Sequence, residues 1–223
     1  MKIIDYPDRE LMALSLADRL ASELSETLRM QGHASLCLPG GTTPGPVFDT
    51  LSGVDLDWAK VAVFLNDERW VPEDNPRSNT ALLRARFLRG PAAAARLIPL
   101  YAAAPTPEDR LDELTAGITP HLPISVLLLG MGADMHTASL FPGADRLAQA
   151  LAPDAPALMA LRADAAGEPR ITLTARVLKA ALRLHILITG ADKRAAIERA
   201  ASLPLEQAPV RAVLSHATIH WAE

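Results

Sequence analysis

Asp134 and His136 stand two residues apart in the stretch GMGADMHTASLFPG (130–143), directly after the apolar run ISVLLL (124–129). An imidazole can carry a proton between water and a substrate near neutral pH, because its ordinary pKa is close to 6.5. A carboxylate two residues away can orient that ring or meet a ligand itself, and the spacing leaves both roles open. Gly130 and Gly132 offer backbone N–H groups that could face a developing oxyanion. Met135 sits between acid and base in a turn that favours glycine. If its backbone is left-handed, a residue with a side chain costs about 1–2 kcal/mol there. A histidine held in a glycine turn for purely structural reasons is the competing reading.

Three other segments carry groups suited to an anion. In PGGTTPG (39–45), Gly40 and Gly41 let backbone amides approach an oxyanion, Thr42 and Thr43 add hydroxyls, and a helix start follows. The Lys-Ser/Thr ending of a nucleotide-binding P-loop is missing, and a tight strand-to-helix turn would use the same glycines. Lys193 falls in the first turn of the helix after LHILITG, where a cation opposes the helix dipole unless an anion neutralises both. Arg170, in PRITLT, could serve likewise. Asp67, Glu68 and Arg69 end the run VAVFLNDERW as either a solvated charge cluster or the mount of a substrate-orienting arginine. Metal chemistry is disfavoured: His121, His185, His216 and His220 are scattered, and only the last two are neighbours, expected on one face of a terminal strand with no third ligand. The single cysteine, Cys37, excludes intramolecular disulfides and thiolate clusters. No metal and no cofactor are expected.

These groups must be positioned by an alternation of strands and helices. Lys2–Tyr6 reads as a strand. A helix opened by Pro7 carries Leu11, Leu14, Leu20, Leu24 and Leu28 at helical spacing and stops at Gly32. SLCL, VAVFLNDERW, LIPLY, ISVLLLG, residues 158–161, RITL and LHILITG read as strands. Helices are expected over 79–88, with Ser78 or Asn79 as cap, and over PEDRLDELTAGI, RVLKAA and ADKRAAIERA. The residues after His136 are expected to resume as helix, and VRAVL and TIHWAE as extended pieces. Apolar runs without alternation, LLLG and ILITG, are what a strand covered on both faces requires. The prediction is a single α/β domain over 1–223, a three-layer Rossmann-like fold with a mostly parallel sheet and helices on both faces. Four strands end in the polar segments above, and open α/β sheets bind ligands at the carboxyl ends of their strands.

With 223 residues and 4% aromatics, the core must be aliphatic. A net charge of −4 gives no basic field for nucleic acid. The first ten residues turn acidic too soon for a signal peptide, and no run is long enough to span a membrane. The expectation is a cytoplasmic protein acting on a small molecule, without nucleic acid or membrane, as a monomer or small homo-oligomer.

PGGTTP, NDERWVPEDNPRSN, GMGADMHTASLFPG, PRITLT and TGADK, in this order and at these separations, resemble the 6-phosphogluconolactonase family. The resemblance implies a fold related to the sugar-phosphate deaminases and isomerases. It implies cofactor-free hydrolysis of 6-phosphoglucono-δ-lactone to 6-phosphogluconate in the pentose phosphate pathway. By position, His136 would be the general base, Gly40, Gly41 and Thr42 would lie along the substrate groove, and Arg69, Arg170 and Lys193 would hold the phosphate or nearby oxygens. Met135 departs from the family's usual glycine, and Asn66 from its usual small residue. Two alternatives remain. One is a deaminase or isomerase using Asp67 as base, although no acid follows the histidine until Asp145. The other is a non-catalytic sugar-phosphate sensor.

Overall fold

The computed structural model describes all residues, 1–223. The chain opens with strand β1 (Lys2–Asp5) and helix α1 (Arg9–Gln31). Asp8 caps α1 by accepting from the Leu11 amide at 2.7 Å, and Gly32 ends it at φ 77. The helix therefore starts two residues later than Pro7. Its buried stripe is Met12, Leu16, Leu20 and Leu24, while Leu11 and Leu14 face solvent. Then follow β2 (Ala34–Leu38), α2 (Gly45–Leu51), β3 (Val61–Leu65), β4 (Asp67–Arg69), α3 (Asn79–Arg86) and β5 (Arg96–Leu97). After α4 (Leu111–Ile118) come β6 (Val126–Gly130), α5 (Leu147–Leu151), β7 (Leu158–Leu161), β8 (Arg170–Leu173) and α6 (Ala175–Lys179). The chain closes with β9 (Arg183–Thr189), α7 (Ala191–Ala200), α8 (Arg211–Leu214) and β10 (Thr218–Ala222).

Seven strands form one sheet in the order β1-β10-β9-β6-β2-β3-β5, with every ladder parallel. Val126–Leu129 are buried without alternation, so both faces of β6 are covered, as its sequence requires. The core is largely aliphatic, with Trp58, Phe48 and Phe87 as an aromatic knot at one end. The expected three-layer, mostly parallel α/β architecture is what the chain adopts.

Four local expectations are corrected. VFLNDERW is not one strand: it breaks at Asn66, and Asp67–Arg69 join a separate antiparallel sheet ordered β4-β8-β7. Asn66 is the junction, its amide bonded to Leu38 O of the large sheet and its carbonyl accepting from Leu173 of the small one. Of LIPLY only Leu97 belongs to a strand, the two-residue β5 that begins at Arg96, with an Ile98 bond to Val63 beyond it, because Pro99 has no N–H to continue the ladder. The residues after His136 form no helix. Instead Thr137 and Leu140 bridge across a tight turn with Ala138 at φ 50. VRAVL is not extended but supplies the short helix α8.

The chain leaves β2 toward β3 and β5, whereas it leaves the neighbouring β6 toward β9 and β10. A crevice is therefore left between the carboxyl ends of β2 and β6, the topological switch point of the sheet.

Candidate active site

That crevice holds a cleft of about 360 Å³. Its walls include Gly40, Gly41 and Thr43 after β2, Asp67 and Arg69 of β4, and Gly130, Met131, Gly132 and His136 after β6. Arg170 of β8 and Lys193 of α7 complete it. Residues spread over more than 150 positions of sequence thus meet at one place.

The loop after β6 is built to hold one imidazole. Asp134 Oδ1 lies 2.6 Å from His136 Nδ1 and also accepts from the His136 amide at 3.2 Å. A carboxylate on Nδ1 makes that nitrogen the donor, which leaves Nε2 as the basic one. Nε2 has no partner in the protein, and the ring lies against the cleft. Asp134 thus orients the ring, one of the two roles its spacing allowed. Its hydrogen bond to His136 holds its carboxyl below the usual carboxylate range, against the opposing effect of burial. Phe141 stacks on the imidazole with ring centres 4.2 Å apart and planes 29° apart. The same phenyl ring lies 5.7 Å from the Arg170 guanidinium.

Gly132 is required for space: a Cβ there would overlap both the His136 ring and the Asp134 carboxylate. Its amide donates to His136 O at 3.0 Å, and its carbonyl accepts from the Met135 amide at 3.0 Å. The Gly132 N–H is therefore committed within the loop, which removes it as an oxyanion donor. Met131, between the two expected glycines, has an amide with no acceptor in the protein and, unlike Ala133 and Asp134, lines the cleft. Met135 is left-handed at φ 66, and its side chain is buried.

The three expected cations all reach the cleft, in different states. Arg170 is buried; its Nη1 is 3.6 Å from Asp67 Oδ2, its Nη2 donates to Ala166 O, and its Nε has no partner. Burial pulls its pKa down, while the Asp67 charge pushes back. Arg69 donates from Nη1 to Asn79 Oδ1 at 2.6 Å and to Arg77 O at 2.8 Å. Lys193 is half-buried and makes no hydrogen bond or ion pair. The amides of residues 40–43 likewise have no acceptor in the protein. Asp67 is held by Ser139 Oγ at 2.5 Å in addition to Arg170.

Two predicted site residues lie elsewhere. Glu68 is fully buried under the start of α3, where it accepts from the amides of Arg69, Asn79 and Thr80 and from the Thr80 hydroxyl at 2.7–2.8 Å. Burial raises its pKa against these bonds. It is a helix-start anchor and does not reach the cleft. Thr42 lines a neighbouring cavity of about 290 Å³, which meets the cleft at Thr43 and Leu187. The histidine pair is also split: His216 precedes β10 and bonds Ser215, while His220 faces inward. His220 Nε2 lies 3.0 Å from His185 Nδ1, and its Nδ1 lies 2.9 Å from the Tyr6 hydroxyl. Sequence reasoning missed Met131, Asn79 and Phe141 as parts of the site. Phe141, five residues after the base, carried no signal of its own.

Fold and site together define a Rossmann-like α/β protein that can hold a small phosphorylated ligand at its switch point beside a His–Asp pair. A family model described as glucosamine-6-phosphate isomerases/6-phosphogluconolactonase matches residues 7–221. The 6-phosphogluconolactonase of Mesorhizobium japonicum is 43% identical, with 97% of this chain and 93% of that one covered. That of Rhizobium meliloti is 42% identical, with 100% and 98% covered. The crystal structure of a 6-phosphogluconolactonase from Shewanella baltica matches with a TM-score of 0.96 at 30% identity, covering 100% and 98%. The chain belongs to the 6-phosphogluconolactonase family, which shares its family model with the glucosamine-6-phosphate isomerases. A monomeric glucosamine-6-phosphate deaminase matches at TM-score 0.82 and 18% identity, a likeness of fold alone.

Proposed function

We infer that the cleft hydrolyses 6-phosphoglucono-δ-lactone to 6-phosphogluconate, with His136 activating the attacking water. The observation that carries this reading is an imidazole whose Nδ1 is locked on Asp134 and whose ring lines the same cleft as Lys193 and Gly40, Gly41 and Thr43, whose amides are unpaired. In the first step Nε2 takes a proton from water as the oxygen bonds to the lactone carbonyl carbon. The carbonyl oxygen becomes an oxyanion, for which the Met131 amide is the free donor. In the second step the carbon–ring-oxygen bond breaks, and the leaving oxygen takes the proton back from Nε2. Asp134 stabilises the imidazolium between the two steps. A base in such a position is worth about 10²–10⁴-fold and an oxyanion donor roughly 10²–10³-fold.

The phosphate, at the far end of the substrate, is assigned to Lys193, Arg69, Arg170 and the amides of Gly40, Gly41 and Thr43. Binding energy from that remote group orients the reacting carbonyl. Isomerase chemistry from Asp67 is disfavoured, because its carboxylate is already held by Ser139 and Arg170. No helix is long and apolar enough to cross a membrane, which suits a small-solute enzyme of the cytoplasm. The site draws on residues 39–193 of one chain around a continuous core, so one domain completes it, alone or in a small homo-oligomer.

The test is acid release from freshly prepared lactone, followed in a pH-stat. The wild type is expected to exceed His136→Ala by about 10²–10⁴-fold in kcat. Equal rates, with 6-phosphogluconate still bound, would overturn the catalytic reading in favour of a sensor.

A further inference from the structure

We propose that Asn79 is a positioning residue that fixes how far Arg69 stands from the glycine-rich loop, and so shapes the bay that receives the anionic end of the substrate. The claim about the substrate rests on the lactonase reading; the claim about the loop does not.

Asn79 is buried at the first position of α3, with its backbone amide held by Glu68 Oε1 at 2.8 Å. Both ends of its side chain are in use. Oδ1 accepts from Arg69 Nη1 at 2.6 Å, and Nδ2 donates to Asp67 O at 3.2 Å. The same amide group occupies the space into which a side chain at position 40 would project: a Cβ built on Gly40 overlaps the Asn79 Oδ1, Cγ and Nδ2 atoms. Gly40 does not have the positive φ that its neighbour Gly41 has at 83, so its backbone would accept alanine. The three atoms nearest to a side chain at 40 all belong to the Asn79 amide. One amide thus touches the loop, the cation and the strand between them.

Arg69 also has a competing partner. Its Nε lies 3.5 Å from Glu168 Oε1, and Glu168 is paired with Arg77. With Asn79 truncated, the guanidinium keeps Arg77 O and Glu168, neither of which belongs to a residue lining the cleft. The bay then loses both a wall and a fixed charge, while the His136–Asp134 pair, which Asn79 does not touch, stays in place.

Two double-mutant cycles test this. In the first, urea unfolding is measured for Gly40→Ala, Asn79→Ala and the combination. Gly40→Ala is expected to lower the midpoint in the wild-type background and to leave it unchanged in the Asn79→Ala background. Equal losses in the two backgrounds would overturn the contact. In the second, lactone hydrolysis is measured for Asn79→Ala, Arg69→Ala and both. Asn79→Ala is expected to raise KM about tenfold while kcat falls less than threefold, and the double variant to match Arg69→Ala alone. Independent, multiplying effects, or a loss confined to kcat, would refute the positioning role. Asn79→Ser, which keeps a polar group at the helix start, carries the same expectations should the alanine variant not fold. If the wild type does not hydrolyse the lactone, the proposed function fails. The first cycle, which needs no substrate, still decides whether Asn79 shapes the loop.

Discussion

Met135 brings two opposed effects into one residue, and their balance can be measured. Its φ of 66 costs a residue with a side chain about 1–2 kcal/mol relative to glycine. Its side chain is only 8% exposed, and burying a methionine contributes about 1.5–3 kcal/mol. Met135→Gly relieves the first, forfeits the second, and loses roughly 0.5–1 kcal/mol more to the freedom of glycine in the unfolded chain. The net expectation is a loss of about 1.5 kcal/mol. Met135→Ala forfeits most of the burial and keeps the left-handed backbone, so it should lose about 2 kcal/mol or more. Urea unfolding should therefore rank wild type above glycine and glycine above alanine. Because Asp134 and Gly132 hold His136 without the Met135 side chain, kcat for the glycine variant should stay within a few-fold of wild type. If glycine is the most stable of the three, burial does not offset the strain. If alanine outranks glycine, the left-handed backbone carries no penalty, and the reasoning fails at its first step.

Two further outcomes follow from the same geometry. Gly132→Ala should dismantle the catalytic pair, because a methyl there overlaps His136 and Asp134; kcat should fall by at least 10²-fold with KM little changed, and an unchanged kcat would place the loop elsewhere. His220 should make the protein acid-labile: burial and the neighbouring His185 push its pKa down to about 3, from an unfolded value near 6.5. The unfolded chain then binds the proton more readily, so the contribution of His220 is complete above pH 6.5 and is lost as the pH falls toward 3. Between pH 7 and pH 5 that loss is about 2 kcal/mol, and His220→Gln should remove it from the pH dependence of the unfolding midpoint. Parallel pH slopes in the two proteins would exclude His220 as the cause.

The parallel sheet was legible because its strands are continuous apolar runs that end in abrupt polar turns, and those turns line the cleft. His136, Lys193 and the glycine loop could be named for the same reason: their residue types conflict with plain structural roles. What sequence could not supply was partnership. Glu68 and Arg69 are adjacent and both ionisable, yet the pleat of β4 sends one under α3 and the other to the cleft. Gly132 looked like a donor until its amide was found closing the loop onto His136 O. Asn79 read as a helix cap, and its Ser78 neighbour does the capping. The residues after His136 imitate a helix in composition, but Thr137 and Ser139 are anchored to Gly130 O and Asp67 instead.

The break at Asn66 gives the site a built-in gauge. His136 and the glycine loop follow strands of the seven-stranded sheet, while Arg69 and Arg170 stand side by side on the three-stranded one, as register partners in β4 and β8. The span from imidazole to guanidinium is therefore the offset between two sheets, set where Asn66 bonds Leu38, Leu128 and Leu173 together. The length of the cleft between those groups is thus fixed at a single asparagine, like the opening of a calliper at its hinge. A residue inserted or removed at that junction would exchange the faces of β4, turning Arg69 away from the cleft and Glu68 toward it.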